Sequence, residues 1–166
     1  MADFQATVNY QPGVAIEGDF ASANPRQTTL AGDSELVAGS SGVIVGRFGW
    51  ITSGAVDNTG SGAPDTFISR TSNVAMIDTF LSAYSMTVPT GSPVTGHSAG
   101  DFWVKNGAAS ANTVGEKVFA MTADGTCQFG AAGGSVSGGV ETSFYAHTVG
   151  GAGELVKIST TPTPLA

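Results

Sequence analysis

Val43-Ile44-Val45-Gly46-Arg47-Phe48-Gly49-Trp50-Ile51 is, together with Leu36-Val37 just before it, the densest β-prone run in the N-terminal half of the chain. Read as one strand, it places Val43, Val45, Arg47 and Gly49 on one face and Ile44, Gly46, Phe48 and Trp50 on the other, because successive side chains alternate across a strand. Both faces are largely apolar, so this strand is expected inside a sandwich.

Working outward, Phe4 to Ile16 alternates weakly and is broken by Pro12-Gly13, which reads as an extended arm or edge strand. On the other side, Asp57-Asn58-Thr59-Gly60-Ser61-Gly62-Ala63-Pro64 has turn residues and no hydrophobic period, so a surface loop is expected. Ser72 to Met86 fits two patterns: Val74, Ile77, Phe80, Leu81 and Tyr84 make a helical stripe, while its second half also alternates. A short helix and a strand both stay open there. Further on, Asp101-Phe102-Trp103-Val104-Lys105 ends at Asn106-Gly107, and Lys117 to Thr122 leads through Asp124-Gly125 to Thr126-Cys127-Gln128-Phe129. Both dipeptides favour hairpins, so these read as consecutive antiparallel strands. Gly130 to Gly139 has little side chain to bury and is expected to be mobile or held by a partner. Two final strands, Thr142 to Val149 and Glu154 to Ser159, precede a Pro-containing tail. Gly-rich punctuation at intervals of about 8–15 residues is the rhythm of an all-β chain.

The length of 166 residues suits one domain. The expected division is an arm and edge segment over 1–30, a β-sandwich domain over 31–160 and a tail over 161–166. Only 11% of residues are charged, while 24 are Gly, an exterior that suits a protein packed against neighbours. A net charge of −7 repels phosphate backbones, so nucleic acid is not an expected partner. No apolar run is long enough to span a bilayer, and Met1-Ala-Asp-Phe-Gln lacks a basic start and an apolar block, so neither a membrane segment nor a signal peptide is expected. A lone Cys127 closes no intrachain disulfide.

Chemistry is sparse. His97 follows a Pro/Gly turn and is expected at the surface, His147 lies in the strand Phe144-Tyr145-Ala146-His147, and neither has ligand-type neighbours at metal spacing. Cys127 reads as a small packed thiol. Gly150-Gly151-Ala152-Gly153 has Val156 where a dinucleotide fingerprint needs glycine, and Val136 stands where a nucleophile elbow needs serine. Asp57, Asn58 and Asp65 lack the spacing of a calcium loop. No catalytic, cofactor or metal site is therefore expected, and the chain reads as a non-enzyme. Trp50, Phe102, Trp103 and Tyr145 leave open a carbohydrate-stacking platform, although core packing is the ordinary fate of such residues.

Four stretches in order resemble the structural cement, or capsid decoration, proteins of tailed bacteriophages: Gly18-Asp19-Phe20-Ala21-Ser22-Ala23-Asn24-Pro25-Arg26, Gly42 to Trp50, Gly100-Asp101-Phe102-Trp103-Val104-Lys105-Asn106 and Gly115-Glu116-Lys117-Val118-Phe119-Ala120. The likeness covers roughly residues 3 to 125. It implies a mainly β, antiparallel sandwich or jelly-roll-like subunit with at most one short helix. It also implies a homodimer at twofold positions that binds the major capsid protein on the outside of the virion and links neighbouring capsomers, after synthesis in the host cytoplasm. On this reading Phe4, Tyr10, Asn24, Pro25 and Arg26, all within the N-terminal arm and edge segment, are the expected capsid or dimer contacts, and Gly130 to Gly139 becomes ordered on the shell. Arg26, Arg47, Arg70 and Lys105 are too few for a general basic patch, and internal pairing is an equally good reading of each. The alternative in another class is a receptor- or carbohydrate-binding β-sandwich of a phage tail or surface appendage.

Overall fold

The computed structural model describes residues 13–33, 35–74 and 86–162. Phe4, Tyr10, most of the proposed arm and the centre of the Ser72 to Met86 segment lie outside the described residues. The strands are β1 (Gln27–Thr28), β2 (Val37–Ala38), β3 (Val43–Ile44), β4 (Phe48–Thr52), β5 (Ala55–Asp57), β6 (Thr66–Ile68), β7 (Thr87–Val88), β8 (Gly96–Ala99), β9 (Asp101–Lys105), β10 (Lys117–Met121), β11 (Cys127–Gly130), β12 (Gly139–Ala146) and β13 (Leu155–Ser159). They form a six-stranded sheet in the order β1-β8-β6-β4-β5-β2, a five-stranded sheet in the order β11-β10-β12-β13-β9, and the small pair β3-β7. All pairings are antiparallel except β2 with β5. The chain is mainly β, as expected. No helix among the described residues is long and apolar enough to cross a membrane.

The Val43–Ile51 run is not one strand. Gly46, at φ +80°, turns the chain between β3 and β4, and a side chain there would strike Glu17. The break is compatible with burial of both faces because the six-stranded sheet is the middle layer. Phe48, Trp50 and Phe67 pack with Phe102, Val104, Phe144 and Ile158 of the five-stranded sheet. Ile68, the next residue after Phe67, faces the other way, into a second core with Val43, Val45, Val56 and Val88. All three residues of β6 are buried, which is the signature of a strand covered on both sides. β4 and β5 are joined by Ser53 at φ 51° and Gly54 at φ 85°, the paired positive values of a two-residue hairpin turn whose twist matches the strands.

Asp124-Gly125 does turn β10 into β11, and β12 pairs with β13, both as read from the sequence. Asn106-Gly107 does not make a hairpin. β9 pairs instead with β13 over five residues, because the Asn106 side chain is buried and committed elsewhere. Its amide donates to the carbonyls of Ser110 and Gly150 at 3.0 and 2.9 Å and accepts from Ala108 N–H at 2.9 Å. Asn58 is a second correction within the expected surface loop, since it is 8% exposed and bonds the backbone of Ile44 and Phe48.

Candidate functional site

The expected contact residues Asn24, Pro25 and Arg26 form an exposed tip on a stretch that ties the two large sheets together. Gly18 to Ala21 runs along β9: Gly18 N–H donates to Trp103 O at 2.7 Å, Trp103 N–H to Asp19 O at 2.9 Å, and Ala21 N–H to Asp101 O at 2.9 Å. The chain then crosses to pair as β1 with β8, the edge of the other sheet. One continuous segment thereby covers the β9 edge of the five-stranded sheet and forms the short outer strand of the six-stranded one, so the exposed edge at β1 is only two residues long, one of the ways sheets limit unwanted strand addition.

Side chains fix this staple. Asp101 Oδ2 accepts from Ser22 Oγ and, at 2.7 Å, from Asn24 Nδ2. Burial alone would raise the Asp101 carboxyl, but hydrogen bonds from Ser159, Ser22 and Asn24, with the charge of His147, outweigh it and hold it below the usual carboxylate range. Asp19 Oδ1 meets Arg70 Nε at 2.9 Å. Arg26 lies with its guanidinium 3.9 Å from the centre of the Phe20 ring and donates to Ser22 O at 3.1 Å. Phe20 in turn packs edge-on against His97, with ring centres 5.6 Å apart. Asn24, Pro25 and Arg26 are therefore presented on a braced support. Asp101, which braces them, was not among the expected contact residues. Its one sequence signal is an acidic residue opening the strand just before the apolar run Phe102-Trp103-Val104.

His97 is buried, not exposed as expected. Its Nε2 lies 3.1 Å from both Ser69 Oγ and Ser72 Oγ, and burial, then the charge of Arg26, push the imidazole down to about 4. Nε2 is shared between the buried Ser69 hydroxyl and that of the exposed Ser72, and Nδ1 has no hydrogen-bond partner among the described residues, so His97 lacks the third group that orients the base in an activated nucleophile-base arrangement. A cleft of about 300 Å³ passes beside it, also lined by Asp65 and Glu141. Both acids are already engaged: Asp65 accepts from Ile51 N–H and Glu141 from Gly133 N–H. His147 Nε2 lies 2.8 Å from Thr161 O. Burial raises the Cys127 thiol far above its ordinary value, as for a packed thiol. Among the described residues no three His, Cys, Asp or Glu side chains cluster as metal ligands do. Trp50 and Phe102 are core residues, so they do not join Trp103 and Tyr145 in a stacking platform. Arg47 and Arg70 pair internally with Asp124 and Asp19.

Gly130 to Gly139 supplies its own order. Gly134 N–H donates to Ala131 O, and Gly139 N–H to Val136 O, both at 2.9 Å, while Gly133 N–H reaches Glu141 Oε2 at 2.8 Å. Side chains at Gly130 or Gly139 would crowd Phe119, so the missing Cβ atoms let this loop close over a buried aromatic.

Layered sheets, braced edges and polar groups committed to backbone define the class: a mainly β structural module. The profile of the XM1 gp53 minor capsid proteins matches residues 4–160. The chain belongs to the XM1 gp53 minor capsid protein family, which places it among the capsid-associated structural proteins of tailed phages. A chain of the solved structure "The capsid of Myoviridae Phage XM1" is similar in fold, with a TM-score of 0.62 and 16% identity over 95% of this chain and 97% of that one. A search of the curated proteins finds no match.

Proposed function

We propose that this protein is a structural cement: it binds the outer surface of its phage's capsid, contacts the major capsid protein, and clamps neighbouring capsomers as a homodimer at twofold positions. The observation that carries this reading is membership of a minor capsid protein family across nearly the whole chain. The fold fits the role, since a clamp needs complementary surfaces and no pocket. A dimer touching two capsomers gains effective concentration for its second contact. Selective binding to the expanded shell stabilises that state by linkage. In this scheme the tip at Asn24, Pro25 and Arg26 and the preceding arm, with Phe4 and Tyr10, contribute shell or dimer contacts.

Co-expression with the major capsid protein of the same phage, followed by cosedimentation and quantitative gels, tests the reading. Saturable, stoichiometric retention on expanded shells is expected. Absence of binding to both immature and expanded shells overturns it.

A further inference from the structure

The five-stranded sheet turns Phe102, Val104, Phe144, Ala146, Val156 and Ile158 into the larger core, so its opposite face carries the alternate residues. Register sets Lys157 beside Trp103 and Lys105 beside Leu155, and Lys117 beside Tyr145. The Lys117 ammonium is 3.8 Å from the Tyr145 ring centre, and that of Lys157 is 5.3 Å from the centre of Trp103. These are all three lysines of a chain whose net charge is −7.

Both ends of this face are covered. The Gly130–Gly139 loop closes over Phe119, and Ser22 and Asn24 reach across to Asp101, beside a buried Ser159. The strip between them is open, with Lys105 exposed and Trp103, Tyr145, Leu155 and Lys157 half-buried. Bordering acids are engaged by backbone: Glu116 accepts from Thr113 N–H and Glu154 from Gly151 N–H, while Glu141 accepts from Gly133 N–H and pairs with Lys117 at 4.0 Å. Among the described residues, Lys105 and Lys157 have no carboxylate at ion-pair distance, and the half-buried Glu17, whose carboxyl Lys105 attracts from farther off, is shared with Arg47.

The geometry points to the Trp103, Lys105 and Lys157 strip, flanked by Tyr145 and Lys117, as a docking face for a carboxylate-bearing surface of the shell. This rests on the capsid reading above. Half-buried Trp and Tyr are the side chains enriched at energetically dominant interface centres, and the lysines beside them add positive charge for steering and register. The cation on each ring is already positioned, so less side-chain freedom is lost on docking. Charge complementarity selects the occupant: an acidic surface meets attraction on this strip and net repulsion from the chain as a whole.

The test is binding of the intact chain to purified DNA-free expanded shells, comparing wild type with K105E/K157E at low and high salt, with melting curves for both. We expect the double reversal to weaken apparent affinity by about tenfold or more at unchanged melting temperature, and salt to weaken wild type more than the variant. If the reversal lowers the melting temperature, K105Q/K157Q carries the test, with about threefold weakening expected. Wild-type binding with unaltered variant binding overturns the docking face and leaves the capsid reading standing. Failure of wild type itself to bind overturns the capsid reading, and the docking face falls with it.

Discussion

His97 and Asp101 sit at the two sides of the staple, and acid weakens the fold through both. The imidazole is held at about 4, against its ordinary 6.5, by burial and then by Arg26. In that window the unfolded chain takes up a proton that the folded chain refuses, so this contribution is complete above the unfolded value and is lost as pH falls toward the folded one. Asp101 titrates below its ordinary value, so its contribution is present above that value and disappears as pH falls further. Glu17 acts with the opposite sign: burial raises it against the attraction of Arg47 and Lys105. The difference between wild type and H97Q therefore isolates the imidazole. Urea unfolding of wild type is expected to lose roughly 1–3 kcal/mol more than H97Q between about pH 7 and pH 4.5. Parallel pH profiles for the two proteins would remove His97 from this account.

At the level of elements, the link from β9 to β10 separates local reading from tertiary choice. Asn106-Gly107 has the composition of a two-residue turn, yet the Asn106 amide is 1% exposed and bonds three backbone groups in the β9–β10 loop and the β12–β13 turn. Replacing it by Ala leaves the buried Gly150 carbonyl, the Ser110 carbonyl and the Ala108 N–H without this partner, an expected cost of about 2 kcal/mol in denaturant unfolding. N106D keeps the size but removes the donors, and is expected to cost at least as much. If N106D matches wild type, the amide is not the anchor. Asp124-Gly125 shows the opposite case. Gly125 supplies φ +71°, Asp124 Oδ1 accepts from Thr126 N–H and Oγ1, and the adjacent strands pair as the local signal predicted. The fold class, most strand positions and the β10–β11 and β12–β13 hairpins were thus legible. That Asn24, Pro25 and Arg26 form a braced tip was not legible, because its support comes from Asp101, more than seventy residues away in the chain.

For the molecule as a whole, the middle sheet decides stability. Phe67 and Ile68 are neighbours in sequence but belong to opposite cores, so the two cores share one strand and are expected to unfold together. F67A is expected to cost about 3–5 kcal/mol and I68A about 2–5 kcal/mol. Tryptophan fluorescence and far-ultraviolet circular dichroism should report one coincident transition for each; separate transitions would show two independent units. Alternation, turn residues and low charge settle locally that the chain is mainly β, where its strands lie and that it suits assembly, because these depend on residues a few positions apart. Tertiary structure alone decides that β9 takes β13 as partner, that His97 is buried between Phe20 and Phe102, and that three scattered lysines share one face. Backbone edges are chemically alike until side chains from distant parts of the chain choose among them, and that choice is made only when both cores close.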